Sequence, residues 1–354
     1  MNAHRLGLLV AAAVIAIAAA LFVSVPRNSP HDDQGVALLP ALGDLNAVTA
    51  VTLRKGTPGP TVTVRKTGAQ WSVAERGDYP ADVTKLRKLL LGLRDAKIVE
   101  EKTSNPAEFP VIGVEDPGRP DAAGAEVTVI GAAGRHSVIV GKPAGEGTFV
   151  RRGGENQSYA VEPAISLETE PKFWIDSHLI DVPPALIQGL EVRPAGGPAY
   201  ALHRLNPEDD SFSIEGVPPG RKALDAHALA PPASTFASLT AEDVAAAAGI
   251  DFSQGSQTAL TLTDGNVITI TGAVIGDKHW IGLKSTKNAA LTAKAAGRAF
   301  EIAGYRYESV FRPLEQLLVP KDKPVTPGPA APKQIPHAAK PPPKRPSPAP
   351  ASAP

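Results

Sequence analysis

The chain has 354 residues, with 36 basic and 36 acidic side chains that cancel to a formal net charge of zero. A balanced charge supplies no excess of cations for a nucleic-acid backbone, and the part that reads as folded holds no basic patch interleaved with aromatics. Cysteine is absent, which excludes disulfides, thiolate metal sites, cysteine nucleophiles and lipid attachment through an N-terminal cysteine.

Met1 to Arg5 is a short segment carrying His4, Arg5 and the terminal amine. Leu6 to Val25 is uncharged and apolar over about 20 residues, enough for a helix to cross roughly 30 Å of hydrocarbon. Two readings compete. Ala18-Ala19-Ala20 offers a signal-peptidase site, whereas Leu21, Phe22 and Val23 extend the apolar run beyond a usual signal-peptide core and favour an uncleaved anchor. Arg5 and the amine favour a cytoplasmic N-terminus, opposed by Arg27 on the far side. The expectation is a single-pass membrane protein with most of its chain extracytoplasmic. Residues 26–44 read as a Pro-, Gly- and Asp-containing linker, in which His31-Asp32-Asp33 has no further ligand nearby to make a metal site.

An α+β fold is expected from residue 45 onward, as two tandem similar modules of antiparallel sheet with a packed helix. The first spans 45–180. Val48 to Leu53 reads as a strand. Val62 and Val64 alternate with polar neighbours, Thr67-Gly68 turns the chain, and Trp71 and Val73 return it as the second arm of a hairpin. Trp71 reads as the core anchor of that hairpin rather than a stacking platform. Pro80 is placed for a helix start and Asp82 for its first turn. Val83, Leu86, Leu89, Leu90 and Leu93 then recur at helical spacing, with Lys85, Arg87, Lys88 and Arg94 mainly opposite. Ile98 and Val99 begin another strand.

Breaks at Asn105-Pro106 and Asp116-Pro117-Gly118 precede four short strands at 126–130, 137–140, 148–151 and 158–161. Gly141-Lys142-Pro143-Ala144-Gly145 lacks the spacing of a phosphate loop and reads as a hairpin turn. The junction from Pro171 to Pro184 contains Trp174, Asp176 and His178. Asp176 and His178 have the spacing of a base and its orienter, or of two metal ligands, but no third group is identifiable. Trp174, Leu179 and Ile180 are expected to pack between the modules.

The second module spans 181–319. Leu190 and Val192, Tyr200 and Leu202, and Phe212 and Ile214 repeat the first module's pattern about 140 residues later. The helix counterpart is poor, because Pro231-Pro232 interrupts it. Four strands follow at 258–263, 266–271, 279–283 and 298–302. His279-Trp280 has the residue types of a sugar contact, or simply occupies core and surface positions of one strand. Tyr305 to Leu318 reads as a closing helix kinked at Pro313. From Pro320 the composition turns to Pro, Ala and Lys, a tail without the apolar bulk to fold.

Certain features together resemble the bacterial family known as domain of unknown function 4340. They are the N-terminal apolar segment, the hairpin ending in Trp71, Tyr79-Pro80-Ala81-Asp82, the leucine-rich helix followed by Glu100-Glu101, Ile112-Gly113-Val114, Val140-Gly141-Lys142 and Trp174-Ile175-Asp176…Leu179. The resemblance covers about residues 48 to 318. It implies an auxiliary part of a membrane system linked to ABC transporters and carries over no catalytic residues.

The sequence therefore points to a non-enzymatic accessory protein with envelope or membrane partners, no cofactor and no nucleic acid. The alternative is an envelope-carbohydrate-binding module using Trp71, Trp174 or Trp280 and the basic tail from Pro320. Hydrolase motifs of the GxSxG and HExxH types are absent, and the acidic clusters Glu100-Glu101 and Glu208-Asp209-Asp210 are contiguous rather than opposed.

Overall fold

Alternation of apolar and polar side chains builds the first strands. The structure, a computed structural model, describes residues 35–232 and 234–320. The apolar segment Leu6 to Val25, the His31-Asp32-Asp33 triplet and the proline-rich tail from residue 321 lie outside the described residues. β1 (Val36–Ala37) is followed by β2 (Val48–Arg54), β3 (Val62–Thr67) and β4 (Gln70–Val73). Val51, Leu53, Val62, Val64 and Val73 all turn into the core. Gly68, at φ 62°, makes the tight turn of the β3–β4 hairpin.

The helix starts later than its Pro80 signal. Tyr79–Pro80 forms β5 against β4, and α1 runs Val83–Asp95. Asp82 is the N-cap, its carboxylate accepting the N–H groups of Thr84 and Lys85 at 3.0 and 3.1 Å. Leu86, Leu89, Leu90 and Leu93 are buried beneath it, whereas Val83 is 48% exposed. Val83 thus keeps the period of the apolar face without being covered.

β6 (Lys97–Glu101), the short helix α2 (Phe109–Ile112), β7 (Ala125–Gly131), β8 (Gly134–Ala144), β9 (Gly147–Arg152) and β10 (Ser158–Glu162) complete this half. The ten-stranded antiparallel sheet has the order β1-β6-β10-β9-β8-β7-β2-β3-β4-β5. β1 pairs along β6, and Leu38, Leu39 and Leu42 are buried in the core. The linker expected up to residue 44 therefore contributes its described part to the first sheet.

β11 (His178–Ile180) pairs with β15 (Leu239–Thr240) in a two-stranded ribbon at the junction. The second sheet contains β12 (Ile187–Arg193), β13 (Tyr200–Arg204), β14 (Phe212–Glu215), β16 (Asp243–Ala246), β17 (Ser256–Leu262), β18 (Val267–Ile275), β19 (Lys278–Ser285) and β20 (Arg298–Ile302). Its order is β14-β13-β12-β17-β18-β19-β20-β16. Read from the other edge, this is the order of β6-β10-β9-β8-β7-β2-β3-β4 in the first sheet, strand for strand along the chain.

In the position of α1 there is only α3 (Ser234–Ala237), directly after Pro231-Pro232. α4 (Ala289–Ala295) crosses between β19 and β20. The closing helix α5 covers only Gly304–Val310; Pro313 ends it rather than kinking it, and Leu314–Leu317 continues as a 3₁₀ turn. One continuous apolar core runs from Leu38 through both sheets to Leu318. Among the described residues, no helix is long and apolar enough to cross a membrane.

Candidate functional site

The junction is built by pairing two distant motifs. Ala81 and Ile175 form a bridge, the Asp82 N–H donates to Trp174 O at 2.8 Å, and the Asp176 N–H donates to Pro80 O at 2.8 Å. This brings Tyr79-Pro80-Ala81-Asp82 against Trp174-Ile175-Asp176. Trp174 is buried, its indole N–H donating to Glu168 O at 2.8 Å.

Asp176 and His178 do not form a base–orienter pair. The Asp176 carboxylate accepts the backbone N–H of His178 at 3.2 Å, while the imidazole lies on the exposed side. The other carboxylate oxygen accepts from Lys294 Nζ at 2.6 Å, and that ammonium also donates to His178 O at 2.6 Å. Each polar group is thereby committed to holding α4 against the junction.

Tyr79 lies at the centre of this seam with no exposed surface. Its ring meets Phe300 edge-on at 5.8 Å, and Lys294 Nζ and the Arg298 guanidinium each lie 5.5 Å from its centre. Its hydroxyl is one of four buried side-chain polar atoms without a partner among the described residues. Burial first, and then the Asp176 carboxylate, push its pKa up from the ordinary phenol value. Beside it, Arg76 grips Asp243 through two bonds of 2.5 and 3.0 Å, tying the first sheet to the second. Arg298 donates to Gly77 O at 3.2 Å across the same seam.

His279 and Trp280 lie elsewhere, on β19. Trp280 is 7% exposed, with Lys278 Nζ 5.8 Å from its ring centre. Lys278 in turn pairs with Glu301 at 2.7 Å. His279 packs its ring on Tyr307 at 5.1 Å. The five residues singled out by sequence thus fall in two places, and neither Trp174 nor Trp280 presents an open ring face. Among the described residues, no group of three or more His, Asp or Glu side chains is gathered to hold a metal.

An open groove of about 400 Å³ lies instead between α1, the β3–β4 hairpin and residues 43–46. Trp71 is half-buried there, packed on the core from one side and facing the groove from the other. Lys66 is its cross-strand partner, and Arg87 projects from α1. Neither cation has an acceptor among the described residues, whereas Arg94 at the rim is held by Asp95 at 2.8 Å. Trp71 and the basic helix face were each visible in the sequence; their adjacency depends on how α1 docks over the hairpin.

No curated protein and no solved structure matches the chain. A family model described as "Domain of unknown function (DUF4340)" matches residues 71–263, from the strand that carries Trp71 to the end of β17. The match spans more than half of the sequence, and the chain belongs to that family.

Proposed function

We propose that this is a non-enzymatic accessory protein of an envelope complex. Leu6 to Val25 holds it in the inner membrane, and the bulk of the chain lies on the extracytoplasmic side. Its body consists of two tandem modules, 45–180 and 181–319, of one shared plan. The matching strand order of the two sheets supports the duplication. The observation that carries the accessory reading is the use made of the seam: Asp176, Lys294, Arg76 and Asp243 are consumed in bonds that lock the halves together. What remains open is a cationic, tryptophan-lined groove suited to an acidic segment of a partner, and the family resemblance points to a transporter-linked membrane complex.

Affinity capture of the full-length protein from membranes tests this reading. Recovery of a permease or envelope protein, reduced by Trp71→Ala with Arg87→Glu, supports it; capture of no membrane protein refutes it. A periplasm-active reporter fused at the C-terminus gives signal if the orientation is right and none if it is inverted. A second reading, binding of an anionic envelope polymer, is favoured by the same groove. It requires retention of the protein on such a polymer to fall in the Trp71→Ala variant.

A further inference from the structure

The second sheet carries an addition that the first lacks. Its β19–β20 connection holds α4, whereas residues 153–157 join β9 to β10 without a helix. A cleft of about 710 Å³ opens between α4, the turn of the β17–β18 hairpin, and β11 with the residues after it. Much of its wall is apolar: Leu179, Ile180, Leu262, Ile268 and Leu291 line it, and Leu186 stands there 45% exposed.

One part of the cleft is polar, and Asn266 builds it. Gly265, at φ 74°, turns the β17–β18 hairpin, and Asn266 follows with only 6% of its surface exposed. Its side-chain oxygen accepts from Ser285 Oγ at 2.8 Å, from Thr286 Oγ1 at 3.2 Å and from the Lys287 N–H at 2.9 Å. The main-chain donor fixes which end of the amide is oxygen, so Nδ2 is the end left over. Nδ2 has no acceptor among the described residues, yet it is not one of the four enclosed atoms without partners. It therefore keeps accessible surface, in a residue that lines the cleft. An amide pinned by its oxygen in this way is a preorganised donor.

Two neighbours add to it. Ser285 Oγ, which donates to Asn266, accepts the Asn288 N–H at 3.0 Å, so a second amide stands next to the first. Asn288 Oδ1 caps α4 by accepting the Leu291 N–H at 2.9 Å, and its Nδ2 likewise has no acceptor among the described residues. Lys287 Nζ reaches back over the same turn, 3.1 Å from where a Cβ on Gly265 would stand, and donates to the main-chain oxygen of Asp264. Among the described residues no carboxylate pairs with Lys287, whereas Lys294 is matched by Asp176 at 2.6 Å. Three donors with bonding capacity to spare, one of them an unmatched cation, thus share one end of an apolar cleft.

We propose that this cleft binds a carboxylate joined to an apolar group, the chemistry shared by the C-terminal residue of a peptide and a short-chain fatty acid. The carboxylate accepts from the two amides and faces Lys287, a charge-assisted arrangement, while the apolar group lies along Leu186 and Leu262. Asp181 and Asp264 also line the cleft and oppose an anion, so the local donors, rather than its net charge, select the ligand. This site is separate from the Trp71 groove and stands whether or not the accessory reading holds.

The test uses the full-length protein in an uncharged detergent. N-acetyl-leucine and 4-methylpentanoate are titrated by saturation-transfer NMR, with N-acetyl-leucinamide as the neutral control. At least one of the two acids is expected to bind saturably, with a Kd on the order of a millimolar and about tenfold tighter than the amide. Binding of the first acid alone assigns the peptide terminus, and of the second alone the fatty acid. Asn266→Asp keeps an oxygen for the three bonds but turns the free donor into an acceptor, and should weaken the binding about tenfold or more with an unchanged circular-dichroism spectrum. Ala290→Trp, at an exposed position on the cleft, should abolish binding by filling it, and this variant decides the matter if Asn266→Asp fails to fold. Saturable binding by neither acid, equally tight binding of the amide, or acid binding indifferent to Ala290→Trp or to a folded Asn266→Asp would overturn the proposal.

Discussion

Replacing Tyr79 by Phe should stabilise the protein, although it removes a hydrogen-bonding group. The Tyr79 hydroxyl is wholly buried and has no partner, a condition that costs about 1–3 kcal/mol. Phe keeps the ring, and with it the contact to Phe300 at 5.8 Å and the two cations at 5.5 Å. The void left by one oxygen returns part of the gain, so the net expectation is about +1 kcal/mol, or a rise in Tm of about 2–4 °C. Tyr200 supplies the control. It is 5% exposed, but its hydroxyl donates to Arg312 O at 2.7 Å, so Tyr200→Phe should cost about 1 kcal/mol by stranding that bond. Both variants are compared with the parent by thermal and urea unfolding of the full-length protein in mild detergent. A destabilised Tyr79→Phe would refute the argument and identify the hydroxyl as bonded through buried water.

The buried phenols also set an alkaline limit. Burial raises the pKa of Tyr79, Tyr200 and Tyr307 above the ordinary value of 10.0. The folded state therefore holds those protons longer than the unfolded state, and their contribution is complete below pH 10 and lost as pH rises through the folded values. Tm should fall progressively above about pH 10, with a shallower slope in Tyr79→Phe; a flat profile would contradict this. A double-mutant cycle on Arg76 and Asp243, whose side chains are 21% and 15% exposed, should give a coupling of about 2 kcal/mol. Coupling indistinguishable from zero would show that the seam does not depend on this pair. Gly147→Ala places a Cβ 2.0 Å from Val161 O on the adjoining strand and should cost about 3 kcal/mol in urea unfolding, against no more than a small change for Gly145 at the open turn beside it when replaced by Asn.

What the sequence revealed was local. Val62, Val64 and Val73 announced their strands by alternation, and Leu86 to Leu93 announced a helix by spacing, because each pattern depends only on near neighbours. Pro231-Pro232 likewise forewarned that no long helix would form there, and only Ser234–Ala237 is helical. Val83 was misjudged because periodicity assigns a face but not the extent of what covers it. Pro80 gave a helix signal that strand pairing with Ser72 overrode. Val36–Ala37 was read as linker since two residues are too few to show a period.

The sites were less legible for a related reason. Asp176 and His178 have suggestive spacing, yet the carboxylate bonds a backbone N–H, which side-chain spacing does not encode. The Arg54–Glu126 pair depends on the order of strands across the sheet. That order is a property of the assembled fold. The glycines at 113, 124 and 141 could be noticed as residues, but their purpose becomes visible only where two backbones touch.

The two-residue edge strand β1 has a mechanical consequence. Tension applied at Gly35 acts first on the pairs Val36–Ile98 and Ala37–Lys97, which open one after the other like a zip. It is then arrested at Leu38, where the N–H bonds Ala96 O at 2.8 Å and the side chain is fully enclosed. Near the other end of the described residues, the Val319 N–H donates to Lys222 O at 2.8 Å and its carbonyl accepts from Arg221 at 3.3 Å. A pull applied between Gly35 and Val319 would thus release the short β1 edge before either sheet came under strain.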